Sequence, residues 1–208
     1  ANQGGFTFGK ALGLNGTNQY GTLATGITPN STTTISLWFK ANAFDSGNMF
    51  GAVGDASLSI RASSSTNIRY FSTAIKDFTV PTMTTGTKYH LAFTIDSTNI
   101  RCYLNGVQSS TGALAKPPAR IIDQIGRYNT GASGFWYGGE LVEIAFKTNG
   151  VATSGNITSL YNGGKGADFL SVMGSADCYY KFNNSDGTDS SGNGNTLTLF
   201  NSPTFPNF

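Results

Sequence analysis

The sequence predicts an all-β protein, a sandwich of two antiparallel sheets, and its composition is the first reason. Charged residues make up only 12% of the 208 residues, whereas glycine fills 27 positions and Ser, Thr and Asn are abundant. This composition disfavours long surface helices and favours short strands joined by many turns. Aromatic residues make up another 12% of the chain, which supplies material for a folded core.

The second reason is a clear β-hairpin pattern over residues 88–109. Asn105-Gly106 follows its second strand, and this pair tolerates the positive φ that a tight turn needs. Alternate positions of the two strands are apolar, as expected for strands that bury one face: Tyr89, Leu91, Phe93 and Ile95, then Ile100, Cys102 and Leu104. We therefore predict a hairpin with one buried face and one freer face.

Further short strands are predicted on both sides of this hairpin. In residues 33–41, apolar positions alternate with Ser36, Trp38 and Lys40. Gly, Asp and Ser turns separate the other candidates, which are residues 48–53, 56–62, 67–71, 78–80, 121–127 and 136–146.

One helix is predicted near residues 154–162. Ser154 can cap its start, Ile157 and Leu160 share an apolar face, and Asn162-Gly163-Gly164 provides its end.

Several motifs resemble those of laminin-G-like domains, which belong to the concanavalin A-like jelly rolls. The hairpin YHLAFTID…IRCYLNG is similar to the family's W-x-H-V-A-x-T-Y-D…L-Y-V-N-G, and FTFGKALGLNG is similar to G-K-A-L-x-F-D-G. TTTISLWFKA, DQIGR and WYGGELVEIAF resemble three further family motifs. The resemblance implies a two-sheet antiparallel jelly roll.

The C-terminal part resembles a segment that stands first in many family members. CYYKF and TDSSGNGNTLT, within residues 178–198, carry this likeness. The resemblance implies that residues 177–200 lie beside the N-terminal strands and complete the same sandwich. We predict a single domain over residues 1–208, because about thirty residues cannot bury a core of their own.

Charge and hydropathy exclude some partners. The net charge is only +2, and no Lys/Arg cluster marks a nucleic-acid-binding face. No window holds about 18 apolar residues, so no membrane insertion is expected. Residues 1–10 lack signal-peptide features; either a signal peptide has been removed or the protein was made in a cytoplasm, which we favour.

Cys102 and Cys178 lie on apolar strand faces, which favours buried free thiols.

The titratable residues predict a non-catalytic protein. The glucanase members of the family carry E-x-D-x-x-E on one strand, whereas this chain has only Glu140 and Glu143. Their odd spacing predicts that they lie on opposite faces of a sheet. Val142 stands where the family usually has Asp, and it is expected to share a face with Ile144. His90, the only histidine, is expected to hydrogen-bond its strand neighbours.

No cofactor is expected to be required, although the resemblance raises calcium because many relatives hold it. Asp189 and Asn193 are the candidate ligands, in a loop that also offers Ser191. No acid follows at the position that would give bidentate ligation. Asp and Asn also shape Gly-rich turns, and we favour that interpretation.

Arg127, Tyr128, Trp136 and Tyr137 are the candidate carbohydrate-binding residues. Aromatic rings can stack on sugar faces, and the loop 129–134 joins these residues on a rigid scaffold. The alternative is that Phe135 and Tyr137 point inward while Trp136 covers a strand or a subunit.

Three functional hypotheses follow. The first is a non-catalytic module on a virion surface, such as a phage capsid decoration or fibre protein, that contacts coat or fibre subunits, forms a homo-oligomer and could bind host glycans. The alternative is a secreted, extracellular lectin or adhesion domain, which four N-glycosylation sequons would fit. A glycan hydrolase or lyase ranks last.

Overall fold

The computed structural model describes residues 6–44, 47–53, 55–128 and 135–208, and for residues 55–57 it describes the backbone alone. Within those ranges two short helices form, α1 (Ser154–Tyr161) and α2 (Phe169–Met173), with a 3-10 turn at Asn162–Gly164 between them. The strands in chain order are β1 (Leu12–Asn15), β2 (Tyr20–Ile27), β3 (Thr33–Ala41), β4 (Phe50–Ala52), β5 (Asp55–Ser64), β6 (Asn67–Ser72), β7 (Ala74–Thr79), β8 (Tyr89–Ile95), β9 (Asn99–Leu104), β10 (Val107–Gln108), β11 (Leu114–Ala115), β12 (Ile122–Ile125), β13 (Arg127–Tyr128), β14 (Phe135–Trp136), β15 (Gly138–Lys147), β16 (Cys178–Tyr180) and β17 (Leu197–Phe200).

These strands form two antiparallel sheets that enclose a common core. The first, which we call the helix-covered sheet, has the order β1-β15-β3-β8-β9-β10, with β16 paired to β15 and β11 paired to β9. The second, the open sheet, has the order β17-β2-β12-β4-β5-β6-β7. Strands β13 and β14 pair with each other and form a small separate ribbon. The predicted two-sheet antiparallel sandwich is confirmed.

The inward faces of the two sheets form the main apolar core. Ile35, Leu37 and Phe39 enter it from β3, as the alternation in the sequence predicts. The inward residues of β8 and β9 do the same, which confirms the pattern of the central hairpin. Cys102 and Cys178 are buried free thiols in this core.

The other face of the helix-covered sheet is buried as well. Ile157 and Leu160 of α1 and Phe169 of α2 pack against a surface that includes Ala92 and Tyr179. Every residue of β8 is therefore buried, and the prediction of a freer second face is wrong for this strand. In β9, the outward residues Asn99 and Arg101 are half-buried. The helices that cover this face lie more than fifty residues away in the chain, so the local pattern of β8 does not reveal them.

The helices differ from the prediction in two details. α1 is confirmed, but its N-cap is Thr153, whose hydroxyl accepts a hydrogen bond from the Asn156 N–H at 3.1 Å. Asn156 in turn accepts from the Thr153 N–H at 3.0 Å, which completes a capping box. α2 was not predicted, and Asp168 caps it. Within the described residues, no helix has the length and apolar character that crossing a membrane requires.

A β-bulge in β15 overturns two predictions about its side chains. Val142 pairs with Trp38 and Ala145 pairs with Ser36, so Glu143 and Ile144 together lie opposite one residue of β3. Glu143 adopts a φ of 53° there. As a result Val142 and Ile144 lie on opposite faces of the sheet, with Val142 beside Trp38 and Ile144 in the main core.

The C-terminal strands join both sheets. β16 pairs with β15 in the helix-covered sheet, and β17 pairs with β2 in the open sheet. The prediction that residues 1–208 form a single domain stays a prediction.

The capping box of α1 gives a test of helix docking. We expect Thr153→Ala to lower the free energy of unfolding by about 1 kcal/mol, because it leaves the Asn156 N–H without its acceptor. Urea unfolding followed by tyrosine and tryptophan fluorescence measures this change. Thr158→Ala is the matched control, since Thr158 is exposed within the same helix. Equal stability of the two variants would contradict this role for Thr153.

Candidate functional site

The open sheet carries a groove of about 230 Å³ on its outer face. Strands β5, β6 and β7 form its floor, and the ribbon of β13 and β14 forms one wall. Both polar and apolar side chains line it: Asn48, Ser59, Arg61, Arg69, Phe71, Ile75, Tyr128 and Phe135.

The ribbon lies directly on the backbone at two glycines, Gly51 in the open sheet and Gly47 just before β4. A Cβ on Gly51 would collide with the carbonyl oxygen of Arg127 and lie 2.9 Å from the Cα of Tyr128. A Cβ on Gly47 would collide with the carbonyl oxygen of Trp136. These glycines therefore allow the ribbon to cross the sheet as a raised wall.

Apolar side chains form the walls of the groove. Phe135 is 49% exposed and Ile75 is 55% exposed, on opposite sides of the groove. The rings of Tyr128 and Phe135 lie 6.0 Å apart on the ribbon. Exposed rings and aliphatic groups around a cleft are typical of ligand-binding sites.

The floor of the groove is polar. The Ser59 hydroxyl donates to the side-chain oxygen of Asn48, and both residues are buried. The guanidinium of Arg69 donates from Nε and from one terminal nitrogen to the two carboxylate oxygens of Asp77, at 2.7 and 2.8 Å. Arg61 lies directly opposite Arg69 on the neighbouring strand. The floor thus presents amide, hydroxyl and guanidinium groups between apolar walls.

On the other side of the ribbon, Arg127 takes part in a column of stacked groups. Its guanidinium carbon lies 3.5 Å from the centre of the Tyr20 ring and 5.4 Å from that of Trp136. Tyr20 stacks on Phe200 with centroids 4.5 Å apart and an interplanar angle of 4°. Burial lowers the pKa of Arg127. Its Nε donates to the side-chain oxygen of Gln124, so this column fastens the ribbon to β2, β12 and β17.

The structure separates the four sequence-predicted site residues. Tyr128 lines the groove, whereas Arg127 and Trp136 belong to the column with Tyr20. Tyr137 is 3% exposed and lies in the main core, so we remove it from the candidate site. The loop 129–134 lies outside the described residues.

The other groove residues were missed by reasoning from the sequence. Arg61, Arg69 and Phe71 lie in the predicted strands 56–62 and 67–71, whereas Ile75 lies between two predicted strands and belongs to β7. No functional role was predicted for them. Phe135 belongs to the stretch considered for the candidate surface, with an inward orientation as the favoured alternative, and it is about half exposed. The signal that could have found them is the clustering of outward aromatic and arginine positions over residues 61–75.

The remaining titratable residues are engaged elsewhere. His90 is fully buried, its Nε2 lies 2.9 Å from the Ser36 hydroxyl, and burial lowers its pKa to about 3. Glu140 forms an ion pair with Lys40 at 2.7 Å. His90 is thus neutral and shielded from solvent, as a structural histidine would be.

Glu143 occupies a different environment from the one predicted. Its carboxylate accepts a hydrogen bond from the Tyr179 hydroxyl, beneath α2. Because of the bulge, it lies on the same outer face of the sheet as Glu140, and the prediction of opposite faces is wrong. Burial raises the pKa of Glu143 to about 8, with Lys181 lowering it and Asp168 raising it by smaller amounts.

The candidate calcium loop is organised by its own hydrogen bonds. The two carboxylate oxygens of Asp189 accept from the N–H groups of Tyr179, Ser191 and Asn195 and from the Ser191 hydroxyl. The Asn193 amide donates to backbone carbonyls. In the described part of the chain, no three His, Cys, Asp or Glu residues form a group that could hold a metal. A cation would have to displace these donors. The expectation that no cofactor is required, with Asp189 and Asn193 as candidate calcium ligands, stays a prediction.

Comparison with known families identifies the class of protein. The profile of the concanavalin A-like lectin/glucanases superfamily, in its laminin G form, matches residues 15–146. Because this match covers more than half of the sequence, the chain belongs to that superfamily. The resemblance seen in the sequence motifs is confirmed, and the fold is a lectin-like jelly roll. A comparison with curated proteins found no match.

Solved structures show the same fold at low sequence identity. A Bacteroides ovatus protein described as carbohydrate-binding is similar with a TM-score of 0.72 and 18% identity; the match covers 97% of this chain but only 60% of that one. The heptameric SAP-like pentraxin of Limulus polyphemus has a TM-score of 0.60 and 14% identity, covering 74% and 82% of the two chains. Domain 4 of the extracellular GH43 arabinanase AbnA from Geobacillus stearothermophilus, solved with arabinotriose, has a TM-score of 0.52 and 24% identity, covering 71% and 74%.

The buried carboxyl of Glu143 predicts a pH dependence of stability. The native state holds this proton up to about pH 8, whereas an unfolded glutamate releases it near pH 4.3. The contribution of Glu143 to stability therefore falls as the pH rises from about 4.3 to 8.

We expect Glu143→Gln to gain stability relative to the wild type, by up to a few kcal/mol, between pH 5 and pH 8. Urea unfolding at both pH values measures the difference. Asp186→Asn is the control, because it removes a carboxyl group from an exposed loop instead of from a buried position. A constant difference between Glu143→Gln and the wild type at the two pH values would contradict the burial of this group.

The contact of the ribbon with Gly51 gives a second test. We expect Gly51→Ala to lower the free energy of unfolding by about 1–3 kcal/mol, because the added methyl group forces the ribbon away from the sheet. Gly155→Ala is the matched control, since its Cβ would have ordinary contacts in α1 and alanine favours a helix. Chemical unfolding compares the two, and an undiminished stability of Gly51→Ala would show that the ribbon is not seated as described.

Proposed function

We propose that this protein binds carbohydrate, without catalysis, in the groove on the outer face of the open sheet. The observation that carries this proposal is the combination of exposed rings with a polar floor. Tyr128 and Phe135 offer faces for a sugar ring, and Asn48, Ser59 and Arg69 lie between the walls.

The chemistry of the groove suits a sugar because a sugar ring has both apolar and polar surfaces. Its C–H groups can pack on aromatic rings, and its hydroxyls can exchange hydrogen bonds with amide and guanidinium groups. The volume of about 230 Å³ is below the roughly 300–1,000 Å³ of typical small-molecule pockets. A groove of this size suits one sugar unit of a longer glycan.

The relatives support this class of ligand. The Bacteroides ovatus protein is described as carbohydrate-binding, and the arabinanase domain was solved with arabinotriose. Their likeness to this chain concerns the fold, so the transfer of ligand class is part of the proposal. The groove residues give it a physical basis in this sequence.

The absence of catalysis is also part of the proposal. Glu140 is engaged by Lys40, and Glu143 is buried beneath α2 on the sheet opposite the groove. His90 is enclosed within the helix-covered sheet. Among the described residues lining the groove, none is a carboxylic acid.

The cellular setting is also part of the proposal. A virion surface, with coat or fibre subunits as partners, is the first hypothesis, and an extracellular lectin is the alternative. Carbohydrate binding fits either setting. The pentraxin relative is heptameric, which is compatible with a homo-oligomer.

The test is a glycan array followed by calorimetry on the ligands it identifies. We expect Tyr128→Ala and Phe135→Ala each to weaken binding by about 10-fold or more, because each removes a buried apolar contact. Val107→Ala is the matched control, since Val107 is exposed on the other sheet.

Two outcomes would count against the proposal. An array without any bound glycan would remove the carbohydrate function. Binding that is lost in Trp136→Ala but retained in Tyr128→Ala and Phe135→Ala would move the site to the column beside Arg127.

A further inference from the structure

Residues 203–208 form an added edge to the helix-covered sheet. The N–H groups of Ala11 and Gly13 donate to the carbonyls of Pro206 and Thr204, at 2.9 and 2.8 Å. The N–H of Phe208 donates to the carbonyl of Gly9 at 3.0 Å. We call residues 203–208 the edge segment. It covers hydrogen-bonding groups of β1 and of the residues before it.

Side chains also hold the edge segment in place. Phe208 packs on Phe8 with ring centroids 5.2 Å apart, and Phe205 packs against the main core. Gly13 leaves the space that Thr204 and Pro206 occupy. The docking surface for this segment is therefore specific in shape and in backbone pairing.

The connection to the edge segment is short and strained. β17 belongs to the open sheet and ends at Phe200, yet the edge segment belongs to the helix-covered sheet. Asn201 and Ser202 make the turn between them with φ values of 61° and 51°. Asparagine adopts this left-handed region fairly readily, but serine does so at a cost. The Gln19 amide donates to the carbonyls of both residues and holds the turn.

We propose that the edge segment exchanges between two copies of this chain, each copy docking its residues 203–208 on β1 of the other. In the closed form the edge segment docks on its own chain, and in the exchanged form it docks on the other copy. Its contacts are the same in both forms, so they favour neither. The turn at Asn201 and Ser202 decides, because it is bent in the closed form and can extend in the exchanged form. Strain in a short hinge favours this kind of dimer.

The size of the effect follows from the hinge. A short tether gives the closed form an effective concentration in the millimolar range. Strain at a non-glycine residue in the left-handed region shifts the balance toward exchange by roughly 5- to 30-fold. The hydrogen bonds from Gln19 to the closed turn offset part of this shift. Exchange is therefore expected at protein concentrations of roughly 0.1 to 1 mM.

Disulfide trapping of the full chain tests this directly. Lys10 and Asn207 are an antiparallel bridge pair, which places cysteines there within reach of a disulfide. One preparation carries Lys10→Cys and another carries Asn207→Cys. The native Cys102 and Cys178 are buried in the folded protein, so the introduced thiols are the ones that react. The two are mixed at about 0.2 mM, both as folded proteins and by refolding together from denaturant, and are then oxidised. Joint refolding ensures that slow detachment does not hide the exchange.

We expect a covalent heterodimer, identified by its intact mass, in at least about 5-fold excess over a collision control. That control mixes Lys10→Cys with Val107→Cys, because Val107 is exposed and lies on a different edge strand. A heterodimer yield equal to the control in the refolded sample overturns the proposal. The double variant with both cysteines in one chain must form its internal disulfide, which verifies the pairing of Lys10 with Asn207.

Hinge variants separate exchange from general association. Ser202→Gly relieves the strain of the closed turn, so we expect a heterodimer yield about 5-fold lower. Ser202→Ala keeps a Cβ at that position and is expected to behave as the parent. An equal yield in these two variants contradicts the role of hinge strain.

Discussion

The arrangement of this molecule depends on the burial of one sheet on both of its faces. β3, β8 and β15 pack against the main core on one side, and against α1, α2 and the N-terminal aromatic residues on the other. The central outward side chains, such as Ser36, Ala92 and Ala145, are accordingly small, while the charged Glu140 is paired with Lys40. Burial on both faces removes this sheet as a place for a broad ligand surface. It leaves the outer face of the open sheet as the site where apolar and polar groups reach solvent together.

Much of the sandwich could be predicted from local alternation. In β8 and β9 the inward residues are apolar, as are the inward residues of β3 after Thr33. A period of two residues is a strong signal when it runs over neighbouring strands. The bulge at Glu143 could not be predicted in this way, because an inserted residue resets the alternation without changing the composition of the strand. The capping box also escaped, since Thr153 and Ser154 are both plausible caps and only the backbone distinguishes them.

The candidate site was less predictable than the fold, because it is assembled from distant parts of the chain. Arg127 and Trp136 were recognisable as aromatic and cationic neighbours, but Tyr20 and Phe200 turn them into a column that fastens the ribbon. Only Tyr128 of the four predicted residues lines the groove. Arg127 and Trp136 pack against Tyr20 instead, and Tyr137, which follows the ribbon, lies in the main core. The sequence shows a glycine at position 51 without showing that the ribbon crosses there.

The contact between the ribbon and the two glycines separates the architecture of the groove from its chemistry. Gly47 and Gly51 meet main-chain atoms of the ribbon, so its position over the sheet does not depend on which side chains it carries. Tyr128 and Phe135 project away from that contact into the groove. Related sequences can therefore diverge at these two positions and acquire new ligand preferences while the sandwich beneath stays unchanged. The same property makes the ribbon a suitable site for engineering selectivity into this scaffold.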